Sequence, residues 1–142
     1  MDLEQRLEYA RRVVGGDPVA TLLGIAVEDV AEGRATVSLS PRPHHLNARE
    51  RVHGSTLYAL ADQAMAVAAN TLEHPAFIVE AHISFLAKAE PDQRLLATAK
   101  ARGAGRKLSL WEVDITDATG RLVAVANGRG YHASAPRVKM PA

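Results

Sequence analysis

The sequence predicts an α+β domain in which an antiparallel sheet curves around one long central helix. Three observations predict it. The element order reads helix, two strands, long helix, four strands. The strand segments alternate apolar and polar residues and are separated by Gly, Pro and Asp turns, so neighbours can pair through short connections. The long helix carries Ala59, Ala61, Ala64, Ala66, Ala68 and Ala69, and side chains this small let a helix lie close against a curved sheet.

Residues 2 to 14 place Leu3, Leu7, Ala10, Val13 and Val14 on one side of a helix and charges on the other. Gly15-Gly16 stops that helix, and Asp17-Pro18 opens a short turn or helix. Residues 24–30 and 34–40 form a hairpin over Glu32-Gly33. Pro41 and Pro43 impose a loop to about residue 52. The central helix runs from about His53 to Leu72, and Pro75 separates it from the next strand. That strand, Ala76 to Ala87, carries Phe77, Val79, Ala81, Ile83 and Phe85 at period two, which predicts one shared face. Strands at Arg94–Arg102, Lys107–Thr116 and Leu122–His132 follow. Their turns are Pro91-Asp92, Gly103-Ala104-Gly105 and Ala118-Thr119-Gly120. The tail, Ser134 to Ala142, has two prolines and little apolar content and is expected to be loose. With no repeat and no composition shift, residues 1–142 read as one domain.

Composition narrows the function. The chain has 142 residues, 47% hydrophobic and 23% charged, enough for one core and unlike a disordered segment. A net charge of +1 carries no nucleic-acid footprint. The absence of cysteine removes disulfides, thiolate metal sites and a cysteine nucleophile together. The charged amino terminus lacks the apolar core of a signal peptide. Asp62 and Gln63 interrupt the longest apolar run, which is too short and polar to span a bilayer. A soluble cytoplasmic protein is expected, without nucleic-acid or membrane partners.

Asp62 is the residue that sets the chemistry. A carboxylate on an apolar helix costs several kcal/mol unless compensated, and such groups are kept where a shifted pKa does work. The other placement is a wet face shared with Gln63. The helix opens at His53-Gly54, where free amide N–H groups stand at the positive end of the dipole. Gly54 lets a carbonyl oxygen approach such an N–H, as in an oxyanion hole. Asn47 can add an amide donor, and Asp62 can deprotonate a water or attack directly. Gly54 and Asp62 are eight residues apart, about 12 Å along one helix axis. They can hardly flank the same carbonyl within one chain. Two antiparallel copies of the helix about a two-fold axis can bring them together.

His45-Leu46-Asn47, His53-Gly54 and Leu60-Ala61-Asp62, in this joint spacing before a long helix and four strands, resemble the signature of hotdog-fold acyl-CoA thioesterases, closest to the PaaI-like phenylacetate-pathway branch. The resemblance covers roughly residues 17 to 133. It implies thioester hydrolysis without metal or organic cofactor, active sites at a dimer interface, and a homotetramer built of dimers. It also implies that the strand region of Arg102, Arg106 and Lys107 lies against the CoA nucleotide. The chain departs from the family at Ser55, where a second glycine is usual, and at Glu50, where a glycine is frequent. Ile78 stands about where some relatives use a hydroxyl to orient the attacking water.

Each residue also has a plainer reading. Asn47 alone reads equally as a turn residue. His53 can cap the helix or contact substrate. Ser55 beside His53 suggests a serine hydrolase, but no Gly-x-Ser-x-Gly elbow surrounds it, and capping is the better reading. His44, His45, His53 and Glu50 contain no His-x-x-x-His pair, so no metal site is expected. Arg102, Arg106 and Lys107 could be a solvated hairpin tip or a basic rim for the phosphates of coenzyme A. Phe85, Leu86 and Tyr58 read as core or tunnel wall. The competing functions are a hotdog dehydratase or hydratase, which would pair a loop His with a helix acid, and a non-catalytic acyl-CoA-binding protein.

Overall fold

The computed structural model describes residues 1–138. The amino-terminal segment is a helix, α1 (Leu3–Tyr9), that widens into a π-helical turn at Ala10–Val14. Asp2 caps α1 with a full capping box to Gln5. Gly15-Gly16 ends this stretch, and Asp17 caps α2 (Pro18–Leu23) by accepting the Ala20 N–H at 2.9 Å. The hairpin of β1 (Ala26–Ala31) and β2 (Arg34–Leu39) turns at Gly33, whose φ of +73° suits glycine. The central helix α3 (Gly54–Ala69) follows, then β3 (Ala76–Phe85), β4 (Leu95–Ala104), β5 (Leu108–Thr116) and β6 (Leu122–His132).

The six strands form one antiparallel sheet in the order β1-β2-β4-β5-β6-β3, curved around α3. This is the hotdog fold. Leu60, Ala64, Met65, Val67, Ala68 and Ala69 are buried against Val37, Leu39, Leu95, Ala97, Trp111, Val113 and Ile115 of the sheet. Alanine is what permits this closeness. On the facing strand, a Cβ at Gly128 would lie 2.5 Å from the Met65 sulfur. The order leaves the outer edges of β1 and β3 unpaired within the chain.

Two strand expectations need correction, and both involve bulges. Residue 79 is an extra residue in β3, since Ile78 pairs with Gly130 and Glu80 with Arg129. The bulge reverses the alternation. Ile78, Ala81 and Ile83 are therefore the half-buried positions, while Phe77 is 65% exposed and is not on their face. A second bulge lies between Ala101 and Gly103, and it carries β4 through Ala104, so the turn falls at residues 105–107 rather than 103–105.

The tail also departs from expectation. Residues 134–138 form no regular element, yet Arg137 is anchored. Its guanidinium donates to the carbonyls of Asn70 (3.3 Å), Leu72 and Glu73 (2.9 Å) and stacks over the Tyr9 ring at 5.1 Å. Residues 139–142 of the expected loose tail lie outside the described residues.

Candidate active site

The loop ahead of α3 is built to hold one end of a helix open. A 3₁₀ turn at Pro43–His45 leads into it. His45 is buried and pins the turn: its Nδ1 accepts the Arg42 N–H at 2.9 Å, so its Nε2 donates to the Leu23 carbonyl at 2.7 Å. Burial, first of all, pushes the His45 pKa down and keeps the ring neutral. The His45 carbonyl then takes the His53 N–H at 2.8 Å.

Between them, Leu46 and Val52 form a bridge around a tight turn. Asn47 organises it. Its Oδ1 accepts the N–H groups of Arg49 (2.8 Å) and Arg51 (3.2 Å), and its backbone bonds Glu50 and Arg51. Asn47 is therefore a turn residue through its oxygen. Its Nδ2 makes no bond among the described residues, and the side chain is exposed. Glu50 takes a φ of +58°, the left-handed region that a glycine adopts freely.

At the start of α3, His53 is the N-cap: its Nδ1 accepts the Ser55 N–H at 3.0 Å and lies 2.7 Å from the Ser55 hydroxyl. Ser55 is thus not the cap. The N–H groups of Thr56 and Leu57 return to the His53 carbonyl. Among the described residues, nothing accepts the Gly54 N–H. A neighbour also crowds this position: a Cβ at Gly54 would sit 3.0 Å from Cζ of the Phe85 ring, which would have to shift slightly. Phe85 and Leu86 are 55% and 56% exposed, so they are not core. Phe85 forms a wall beside the open N–H.

Asp62 stands two turns further along α3, about 12 Å from Gly54 by helix rise. Ser55, Tyr58, Ala59, Asp62 and Ala66 form the one stripe of the helix that its own sheet leaves uncovered. Gln63 is on another face. It is buried and donates to the Val14 carbonyl at 2.7 Å, so the wet face shared by Asp62 and Gln63 does not exist. Asp62 is half-buried and lines a cavity of about 360 Å³ together with Tyr9, Asp17, Ala66, Phe77 and Ile78. Burial, and after it the negative charge of Asp17, raises the Asp62 pKa from its ordinary value. Its carboxyl therefore holds a proton more readily than a solvated one.

The basic residues divide. Arg102 lies in the β4 bulge and pairs with Glu112 at 3.2 Å, both exposed. Arg106 and Lys107 form the β4–β5 turn and line a shallow cavity with His74, Tyr131 and His132. This turn lies past the carboxyl end of α3, the end opposite Gly54. A second serine–histidine contact also lies nearby but is structural. Buried Ser109 accepts the Trp111 indole N–H and reaches His132 Nε2 at 2.7 Å, while His132 Nδ1 reaches the His74 carbonyl. Sequence reasoning missed Asp17, Tyr9 and Arg137 as neighbours of the site. The Asp17-Pro18 cap signal was visible, but its proximity to Asp62 depends on how α2 docks.

This fold and this helix end define a class. The chain belongs to the thioesterase superfamily, whose sequence model matches residues 50–124, and it is a thioester hydrolase of the hotdog type. Within that class it is PaaI-like. It is 30% identical over 124 residues to acyl-coenzyme A thioesterase PaaI of Escherichia coli (strain K12), covering 87% of this chain and 89% of that one. The structure of the E. coli PaaI protein from the phenylacetic acid degradation operon matches with a TM-score of 0.87 at 28% identity, over 94% of this chain and 97% of that one. A mutant form of the phenylacetic acid degradation protein PaaI from Thermus thermophilus matches with a TM-score of 0.79 at 32% identity, over 82% of this chain and 100% of that one.

Proposed function

We propose that this chain is a cytoplasmic acyl-CoA thioesterase whose active site is shared by two subunits. One observation carries the reading: the open Gly54 N–H and the half-buried Asp62 occupy the same helix, two turns apart, on or beside its only uncovered stripe. Neither can reach the other's substrate atom within a chain. An antiparallel second α3 packed on that stripe sets Asp62 of the partner subunit opposite Gly54. The unpaired edge of β3, with Phe77 and Val79 exposed beside it, supports pairing of the two sheets about the same two-fold axis. A homotetramer of such dimers is the assembly we infer from the family.

At such a site the thioester carbonyl oxygen accepts the Gly54 N–H and an Asn47 Nδ2 hydrogen, which stabilise the negative charge that develops on it. Asp62 takes a proton from water as the water oxygen bonds to the carbonyl carbon. The C–S bond then breaks, and the CoA thiolate takes the proton back, leaving free acid and thiol. Direct attack by Asp62, through a mixed anhydride that water opens, gives the same products. His53 fixes the helix start. Phe85 and Leu86 flank the open donor. Arg106 and Lys107 supply charge for the CoA phosphates, with Arg102 behind them once released from Glu112.

The Ser55 hydroxyl, 2.7 Å from His53 Nδ1, favours a second reading in which Ser55 is the nucleophile. It ranks lower because Nδ1 is also engaged by the Ser55 N–H, and no carboxylate is bonded to His53 among the described residues. A dehydratase or a non-catalytic acyl-CoA binder would release no thiol at all. Free-thiol release from a panel of aryl- and alkyl-CoA esters separates these readings. The wild type should turn over, Asp62→Ala should lose about 100-fold or more, and Ser55→Ala should stay within a few-fold. A dead wild type removes the thioesterase, and a near-normal Asp62→Ala removes the base.

A further inference from the structure

Asp62 is not the only carboxylate in its cavity. Asp17 lines the same space, and its position is not free to vary. Its Oδ1 is held on the first turn of α2 by the Ala20 N–H at 2.9 Å, and its own N–H bonds the Val14 carbonyl at 3.3 Å. That same Val14 carbonyl receives the Gln63 side chain from α3 at 2.7 Å. One carbonyl therefore ties the Asp17 turn to the residue next to Asp62, and the cap acid and the helix acid are fixed in one small cavity.

We propose that Asp17 is a positioning residue for Asp62, its fixed negative charge making Asp62 a stronger acceptor for the proton of the attacking water. The proposal rests on Asp62 being the base. The surroundings favour it. Of the groups facing this cavity, α1 gives the Tyr9 phenol, β3 gives only Phe77 and Ile78, and α3 itself adds neutral Ala66 and Asn70. The carboxy-terminal segment gives Arg137, whose charge is turned onto the Asn70, Leu72 and Glu73 carbonyls and the Tyr9 ring. Among the described residues, Asp17 is thus the anion that Asp62 faces, and the rise in the Asp62 pKa has Asp17 as its second cause after burial. A simple N-cap has no need of a full charge, since Asn or Ser caps as well.

That equivalence supplies the test. Asp17→Asn and Asp17→Ser keep the cap acceptor and remove the charge. In the intact protein, the Asp62 carboxyl is titrated by ¹³C NMR, and the pH profile of kcat/KM is measured beside it. Removing the Asp17 charge should lower the Asp62 midpoint by about half a pH unit or more. The acid limb of the rate profile should move with it. The kcat plateau should fall roughly two-fold, because a weaker base in the same place is slower. KM should hold. If the Asp62 midpoint stays put in both variants while each melts like the wild type, Asp17 is only a cap. A raised KM with an unmoved acid limb says the same. The NMR midpoint does not depend on turnover. A shifted midpoint alongside a fully active Asp62→Asn would overturn the proposal by removing the base it rests on, whereas an inactive Asp62→Asn with an unmoved midpoint would overturn Asp17 alone.

Discussion

At the carboxyl end of α3, the leftover carbonyls find donors from three parts of the chain. Arg137 takes those of Asn70, Leu72 and Glu73, Arg6 takes that of Thr71 at 2.9 Å, and Asn70 donates to Ala66 and Ala76. Thr71 adds a hydroxyl that accepts from Gly33 and donates to Ala68. The amino end is finished sparingly. One imidazole caps Ser55, and the Gly54 N–H points to no partner among the described residues. The orphan groups of a helix end are met by side chains, by water or by a ligand. An end with a free N–H can take up an oxyanion.

Closing the open end should have the largest effect. Gly54→Val pushes the Phe85 ring aside and crowds the N–H, and kcat should fall about 100-fold, the scale of one lost oxyanion donor. The fold should survive, because the residue is only partly buried and begins a helix. A variant with wild-type kcat would mean that the open end is not the donor.

Opening the closed end should reverse the pattern. Arg137→Ala removes the donor to the part-buried Asn70 and Leu72 carbonyls and should cost about 1–3 kcal/mol in denaturant unfolding. Its kcat should stay within a few-fold. A stable variant with lost activity would place the carboxyl end in the chemistry instead.

The basic turn beyond that closed end should show the smallest effect. Charge reversal at Arg106 and Lys107 should raise KM for CoA esters several-fold and leave kcat nearly unchanged, because phosphate contacts are alike in ground and transition states. A short pantetheine thioester should not feel the change. Equal impairment on both thioesters would mean that the turn does not face phosphate.

Much of this contrast is legible in the sequence, but unevenly. Local signals read true. The Asp17-Pro18 cap, the Gly33 turn and the Leu122–His132 strand depend on near neighbours and stand where expected. The Asn47, Gly54 and Asp62 set is legible because it joins residue types that a core has no use for. What depends on distant contacts is not legible. A bulge changes the parity of a strand without changing its composition, so Phe77 and the 103–105 turn were misplaced. Gln63 reads as wet because its partner, the Val14 carbonyl, lies 49 positions away. Arg137 reads as tail for the same reason. That Asp17 and Asp62 line one cavity depends on how the start of α2 docks near α3, which no spacing encodes.

The two-subunit site is the claim on which the rest depends, and subunit mixing tests it most directly. Asp62→Ala and a donor-end variant, Asn47→Ala with Gly54→Val, should each be inactive as homodimers. Unfolded and refolded together, they should form about half mixed dimers, each with one doubly defective site and one intact site. Activity should return to about one quarter of wild type, with heterodimers verified by mass and the separately refolded parents as controls. Activity that stays at the parents' background, with heterodimers present, would place base and donor on the same chain and contradict the shared site.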